Sequence, residues 1–334
     1  MTTISSSNFL PQLTPPLGEV VDNGNRIQAQ VPFLSGTEAF SAPQWQDDLY
    51  VQAAYLLQSN QHILPLSDPQ ADAHRGNRMV TPDAEDITND ARQLLRDLKR
   101  SEDNYRTAQT NALEASSDEE DVGTPPHIKA LEDLIEKIHT KYQKLYAKIT
   151  EKASQYMKDV NQALGKMSDY INAGKDGKII FDKEGFLKAF KDSLSKYFDF
   201  NQDGSISPKS IHNFTGDDKA LTFWKDKLGS GYIVRRGSSG DIEILPNSDA
   251  IKGIIDRIDG LKGESVKGEG IELSGQAFQA FQTAIDSQKN TVNNNVSELL
   301  ERFRQDNSSF ETLIQLLQRM TEDLYRYNAG YMNV

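Results

Sequence analysis

The chain has no cysteine. Disulfides, thiolate zinc sites, iron–sulfur clusters and cysteine nucleophiles are therefore excluded. No run approaches 18 consecutive apolar residues, so no helical membrane span is expected. Basic residues are in the minority: 37 Lys and Arg stand against 49 Asp and Glu, a net charge of −12. Affinity for nucleic acid comes from neutralising phosphate, so no nucleic-acid partner is expected. The five histidines, at 62, 74, 127, 139 and 212, form no cluster, and His139 is expected on the flank or surface of its helix. HExxH and GxSxG are absent. "GESVKGE" (263–269) has glycines at P-loop spacing, but Glu269 replaces the lysine that would reach the phosphates. Catalytic motifs are thus missing, and the chain is not expected to be an enzyme or to need a cofactor.

Proline is also missing between Pro126 and Pro208, and a long helical repeat begins in that gap. Ile128, Leu131, Ile135, Ile138, Tyr142, Leu145 and Ile149 alternate three and four residues apart, the a/d pattern of a coiled-coil seam. The pattern continues less regularly through Tyr156, Ala163, Met167 and Tyr170. A helix over 127–172 would be roughly 70 Å long at 1.5 Å per residue, so it needs a long partner. The C-terminus supplies one. Val292, Val296, Leu299, Phe303, Phe310, Leu313, Leu317, Met320, Leu324 and Tyr327 keep the same alternation, broken only by Asp306. The first segment is richer in Lys and the second in Asp and Glu, which favours pairing with each other. The fold class expected is mainly α: a long antiparallel intramolecular coiled coil with an inserted mixed α/β domain and an N-terminal helical hairpin. An intermolecular coiled coil is the rival arrangement.

The remaining segments fit around that pair. Residues 1–40 are rich in Ser, Thr and Pro and lack a basic stretch followed by an apolar one, so they read as a flexible leader and not a Sec signal. The hairpin is expected over 41–115, with Thr81 and Pro82 opening its second helix, and a linker over 116–126, "SSDEEDVGTPP". The mixed domain is expected over 173–272, the second long helix over 273–327 and a tail over 328–334. Within the mixed domain, Phe186, Phe190, Leu194 and Phe198 recur every fourth residue. "LTFWKDKLG" reads as a short helix ending at Gly229, and "GYIVRRGSSGDIEIL" as a β-hairpin.

One stretch could carry metal chemistry. In "DFNQDGSIS", Asp199, Asn201, Asp203, Ser205 and Ser207 occupy calcium-loop ligand positions, with Gly204 at the sharp turn. The twelfth position is Ser210 and not the bidentate Glu. The same letters also make an Asx-rich turn, so a calcium site and a plain turn both stand.

Several stretches resemble the type III secretion needle-tip proteins of the IpaD, SipD and BipD kind. These are "YMKDVNQALGKMSDYINAGKDGKIIFDKEGFLKAFKDSLSKY", "FWKDKLGSGYIV", "IIDRIDGLKG", and "QAFQAFQTAIDSQKNTVNNNVSELLERFRQDNSSFETLIQLLQ" with its "NSSF". The resemblance covers about residues 140–320, four segments in order. It implies a protein secreted by a type III system, located on the bacterial surface at the needle tip. Such a protein restrains secretion until host contact and supports translocon assembly. It also implies self-association into a small ring of about five copies, contact with the needle subunit and a hydrophobic translocator protein, and in some members a response to bile salts. An N-terminal hairpin that prevents premature self-association is implied for 43–115. Tyr325, Tyr327 and Tyr331, in last turns with few charges, are candidates for the needle or tip interface, because aromatics are enriched at interfaces. The alternative function is a calcium-binding coiled-coil interaction protein of another system.

Overall fold

The structure, a computed structural model, describes residues 49–60, 83–117 and 125–331. The expected leader, Thr81, Pro82, the acidic run of the linker and residues 332–334 lie outside the described residues. The described chain is mostly helical, with small antiparallel sheets.

Two helices precede the long pair. Helix α1 spans Leu49–Ser59 and α2 spans Ala84–Ser117. The Asp83 carboxylate accepts from the Ala84 amide at 2.6 Å and so supports the start of α2. Ile87, Ala91, Leu94, Leu98, Tyr105, Ala108 and Ala112 recur at helical spacing and are buried. That apolar stripe faces the long helices. Both α1 and α2 lie chiefly against the long pair.

The first long segment has a fault in it. Helix α3 spans Pro126–Ile138, with Pro125 and Pro126 at its start. A single π-helical turn follows at His139–Gln143, and α4 resumes over Lys144–Gly165. A π-turn adds one residue to the helix, and here it brings Tyr146 to the buried face in place of Leu145, while the expected seam positions Ile149, Tyr156, Ala163 and Met167 beyond it are buried. Ile128, Leu131, Ile135 and Ile138 are buried before it, Tyr142 within it, and Tyr146, Ile149, Ala153, Val160 and Ala163 after it. Leu145, expected in the seam, is half-buried, and Tyr146 takes the inward place. The segment also ends earlier than the expected residue 172. It tightens to 3₁₀ at Lys166–Tyr170 and becomes strand β1 at Ile171–Ala173.

The C-terminal helix, α8, spans Gly275–Tyr331 without interruption. Val296, Leu299, Phe303, Phe310, Leu313 and Leu317 are all buried in it. It runs antiparallel to α3 and α4. His139 stacks at the level of Phe310, Tyr146 at Phe303, and Asn161 donates to Asn293 at 2.8 Å.

The intervening residues are mixed. Strands β1, β2 (Ile179–Phe181), β8 (Glu264–Val266) and β9 (Gly270–Leu273) form one sheet, ordered β1-β2-β9-β8. Helix α5, Lys183–Leu194, buries Phe186, Phe190 and Leu194, and the Asp182 side chain caps it. Phe198, expected to continue that helix, instead opens β3 (Phe198–Phe200), which pairs with β4 (Ile206–Pro208). Strand β5 (His212–Phe214) joins β6 (Tyr232–Arg236) and β7 (Ile242–Pro246) in a third sheet, ordered β5-β7-β6. Helix α6, Asp218–Leu228, lies between β5 and β6 in sequence, and α7, Asp249–Asp259, packs on α8 through Ile251, Ile254, Ile255 and Ile258.

Candidate functional site

The π-turn marks a polar cluster inside an otherwise apolar contact. Asp306 of α8 stands between Phe303 and Phe310 and is buried. An isolated carboxylate there would be strongly unfavourable, and Tyr146 and Lys227 both bond to it. The Tyr146 hydroxyl donates to one carboxylate oxygen. The Lys227 ammonium, from α6, reaches both oxygens, at 2.6 and 2.9 Å. Tyr50 of α1 completes the cluster. Its ring packs 5.6 Å from Tyr142 and 6.3 Å from Tyr146, and the Lys227 ammonium lies 5.4 Å from its centroid. Gln143 Nε2 donates to its hydroxyl at 3.1 Å. Burial, with Asp306 close by, pushes the hydroxyls of Tyr50 and Tyr146 well above the usual tyrosine value. Both therefore stay protonated and available as donors.

Of this cluster the sequence marks only Asp306, as a break in the alternation. A charged residue interrupting a run of large apolar ones is a buried group that needs a partner. Nothing local identified Lys227, which is 79 residues away, or Tyr50.

Beside the cluster lies an open groove of about 1420 Å³ between the π-turn and α6. Tyr142, Leu145, Phe214, Phe223 and Trp224 supply apolar wall, with Tyr142 and Phe223 stacked at 4.2 Å. Lys141, Lys144, Lys148, Lys219, Lys227 and Arg302 line it, together with Asp217, Asp218 and Asp226. An aromatic wall with an excess of cations suits an amphipathic anion. His139 is not on a surface. It is buried between Tyr105 and Phe310, with ring centroids 5.0 and 6.1 Å away. Burial, reinforced by Lys144, lowers its pKa.

The 199–207 stretch forms a tight hairpin between β3 and β4, with Gly204 at φ 81°. Asp203 accepts from the Ser205 amide at 2.9 Å and the Ser205 hydroxyl at 2.7 Å, and these bonds lower its pKa. Asn201 Nδ2 donates to the Ser205 and Ser207 hydroxyls at 2.8 and 3.3 Å. Asp199 pairs with Lys209 at 2.7 Å. The would-be ligands thus bond to one another or to a lysine. Among the described residues, no three His, Cys, Asp or Glu side chains are grouped to hold a metal ion. At the far end of α8, Tyr325 and Tyr327 are exposed, and Tyr331 is the last helical residue.

A long antiparallel helix pair carrying an inserted α/β unit is the class of protein these features define. Residues 71–321 match the family model of type III secretion systems tip complex components, and the chain belongs to that family. It is 26% identical over 222 residues to translocator protein BipD of Burkholderia mallei, covering 66% of this chain and 63% of that protein. It is 27% identical over 189 residues to translocator protein BipD of Burkholderia thailandensis, covering 57% and 53%. The match thus spans less than two thirds of these relatives' own length. A solved structure of BipD of Burkholderia pseudomallei shares the fold, with a TM-score of 0.53 and 19% identity over 73% of this chain and 82% of that one.

Proposed function

We propose that this protein is secreted by a type III system and caps the needle. There it restrains secretion until host contact and supports translocon assembly. The family match over residues 71–321 carries the reading. The helix pair supports it, because a continuous 57-residue helix backed by α3 and α4 is a rigid strut. We further propose that the pair is a coiled coil, that α1 and α2 guard it against premature self-association, and that the chain has no catalytic role.

The partners follow from the same reading. They are other copies in a small ring of about five, the needle subunit at the end of α8 that bears Tyr325, Tyr327 and Tyr331, and a hydrophobic translocator protein. Bile salts, amphipathic anions, suit the aromatic, lysine-rimmed groove. Among the described residues no helix is long and apolar enough to cross a membrane. The calcium-binding alternative draws no support from the 199–207 hairpin, where Asp203 accepts from Ser205, Asn201 donates to Ser205 and Ser207, and Asp199 pairs with Lys209.

The test is genetic. Deleting the gene should leave needles without a tip structure and secretion unregulated, and the intact gene should restore both. Normal tips and regulated secretion in the deletion strain would refute the proposal.

A further inference from the structure

Asp306 places a buried charge within the helix pair, between Phe303 and Phe310. Replacing a buried ion pair with well-packed apolar residues is often neutral or stabilising, so fold stability alone does not account for the charge. Its contacts suggest a different role. The carboxylate holds α6 through Lys227, and the same ammonium lies over the Tyr50 ring of α1. Arg302, one turn before Asp306, donates to the Lys227 carbonyl at 3.0 Å. Gly229 has φ 66°, and a Cβ there would meet the Arg302 guanidinium at 2.5 Å. Two side chains of α8, one turn apart, thus hold Lys227 at the C-terminal end of α6: Asp306 its ammonium and Arg302 its carbonyl. Tyr50 meets Tyr146, Gln143 and Lys227 together.

We infer that Asp306 is a clasp that makes the seating of α1 on the long helices conditional on the seating of α6. The coupling follows from the geometry. If α6 lifts, the Lys227 ammonium leaves, the Tyr50 ring loses that cation, and the buried carboxylate loses its ion pair. The polar floor under α1 is then an incompletely paired charge that draws water in. If α1 lifts, Lys227 loses an aromatic face and its pairing with Asp306 becomes exposed and weaker. Two segments distant in sequence therefore leave the helix pair together. The helix pair itself stays closed, because Leu313, Leu317, Val296 and Val160 lie about two turns or more along their helices from Asp306 and Tyr146 and are buried apolar residues. This inference concerns coupling within the chain and does not depend on placement at a needle tip.

Amide hydrogen exchange on the full chain tests it, with Lys227→Met and Asp306→Asn as separate variants. Lys227→Met sits on α6 but should accelerate exchange in residues 50–59 of α1 by about tenfold or more, as expected for loss of a local seat. Asp306→Asn, which keeps the shape and one acceptor, should do the same in both α1 and α6. Protection around Asn161 and Asn293 should stay as in the wild type in both variants, which also shows that the variants are folded. Unchanged α1 exchange in Lys227→Met would overturn the inference. So would a uniform loss of protection along α8, because the effect would then be general destabilisation.

Discussion

Truncating Leu317 and Leu145 to alanine in separate variants tests the shift of register at the π-turn. Both leucines belong to the apolar alternation of the sequence, so an unbroken α-helix would give them equal weight. Leu317 has no exposed surface. Its removal should leave a closed cavity and cost about 2–5 kcal/mol. Leu145 faces the open groove, so truncation loses part of a transfer term and leaves no enclosed void, a cost below about 1.5 kcal/mol. Tyr146→Phe adds a third point. It keeps the ring against Phe303 and removes the hydroxyl that donates to Asp306, at a cost of about 1–3 kcal/mol for a buried acceptor left short of a partner. Urea unfolding followed by circular dichroism, with midpoint and slope compared among variants, measures all three. A Leu145→Ala loss equal to that of Leu317→Ala would refute the argument, because it would mean that the buried face runs straight through His139–Gln143.

Three further outcomes are expected. Burial lowers the pKa of His127, His139 and His212, so the unfolded chain takes up protons first. Stability should be full above about pH 6.5 and fall as pH drops from there towards the depressed folded values; a urea midpoint that does not fall between pH 7.5 and 5 contradicts this. Calorimetry should find no calcium binding tighter than about 10⁻⁵ M, and a tighter site abolished by Asp199→Ala would show that the hairpin opens to take the ion. Removing residues 325–334 takes off the last turns of α8 and should leave the rest of the chain folded while needle tips lose the protein; normal tip labelling with the truncated chain would remove the tyrosines from the interface.

Much of the architecture could be read from spacing. The four-residue recurrence of Phe186, Phe190 and Leu194, the Gly-Ser-Ser-Gly turn between β6 and β7, and the long alternation of α8 are local signals. Local chemistry sufficed for them. The π-turn could not be read in this way. Leu145 and Tyr146 are adjacent and both apolar, so a step of three and a step of four from Tyr142 look equally good. Only packing against Phe303 and Asp306 decides between them. Phe198 failed for a similar reason: its spacing fits a helix, but pairing with Pro208 draws it into a strand. In the candidate site, Asp306 was visible as a break in the seam. Lys227 and Tyr50 were not, because their proximity is a product of the whole fold. The calcium-like letters were legible as either a ligand set or a turn, and side-chain hydrogen bonds fill the turn.

The most direct test of the central claim is immunogold labelling of isolated needles, using antibody against the purified full chain. The account predicts label confined to one end of each needle and absent from needles of a strain lacking the gene. Label distributed along the shaft, or none on needles that the strain assembles and secretes through, would contradict it.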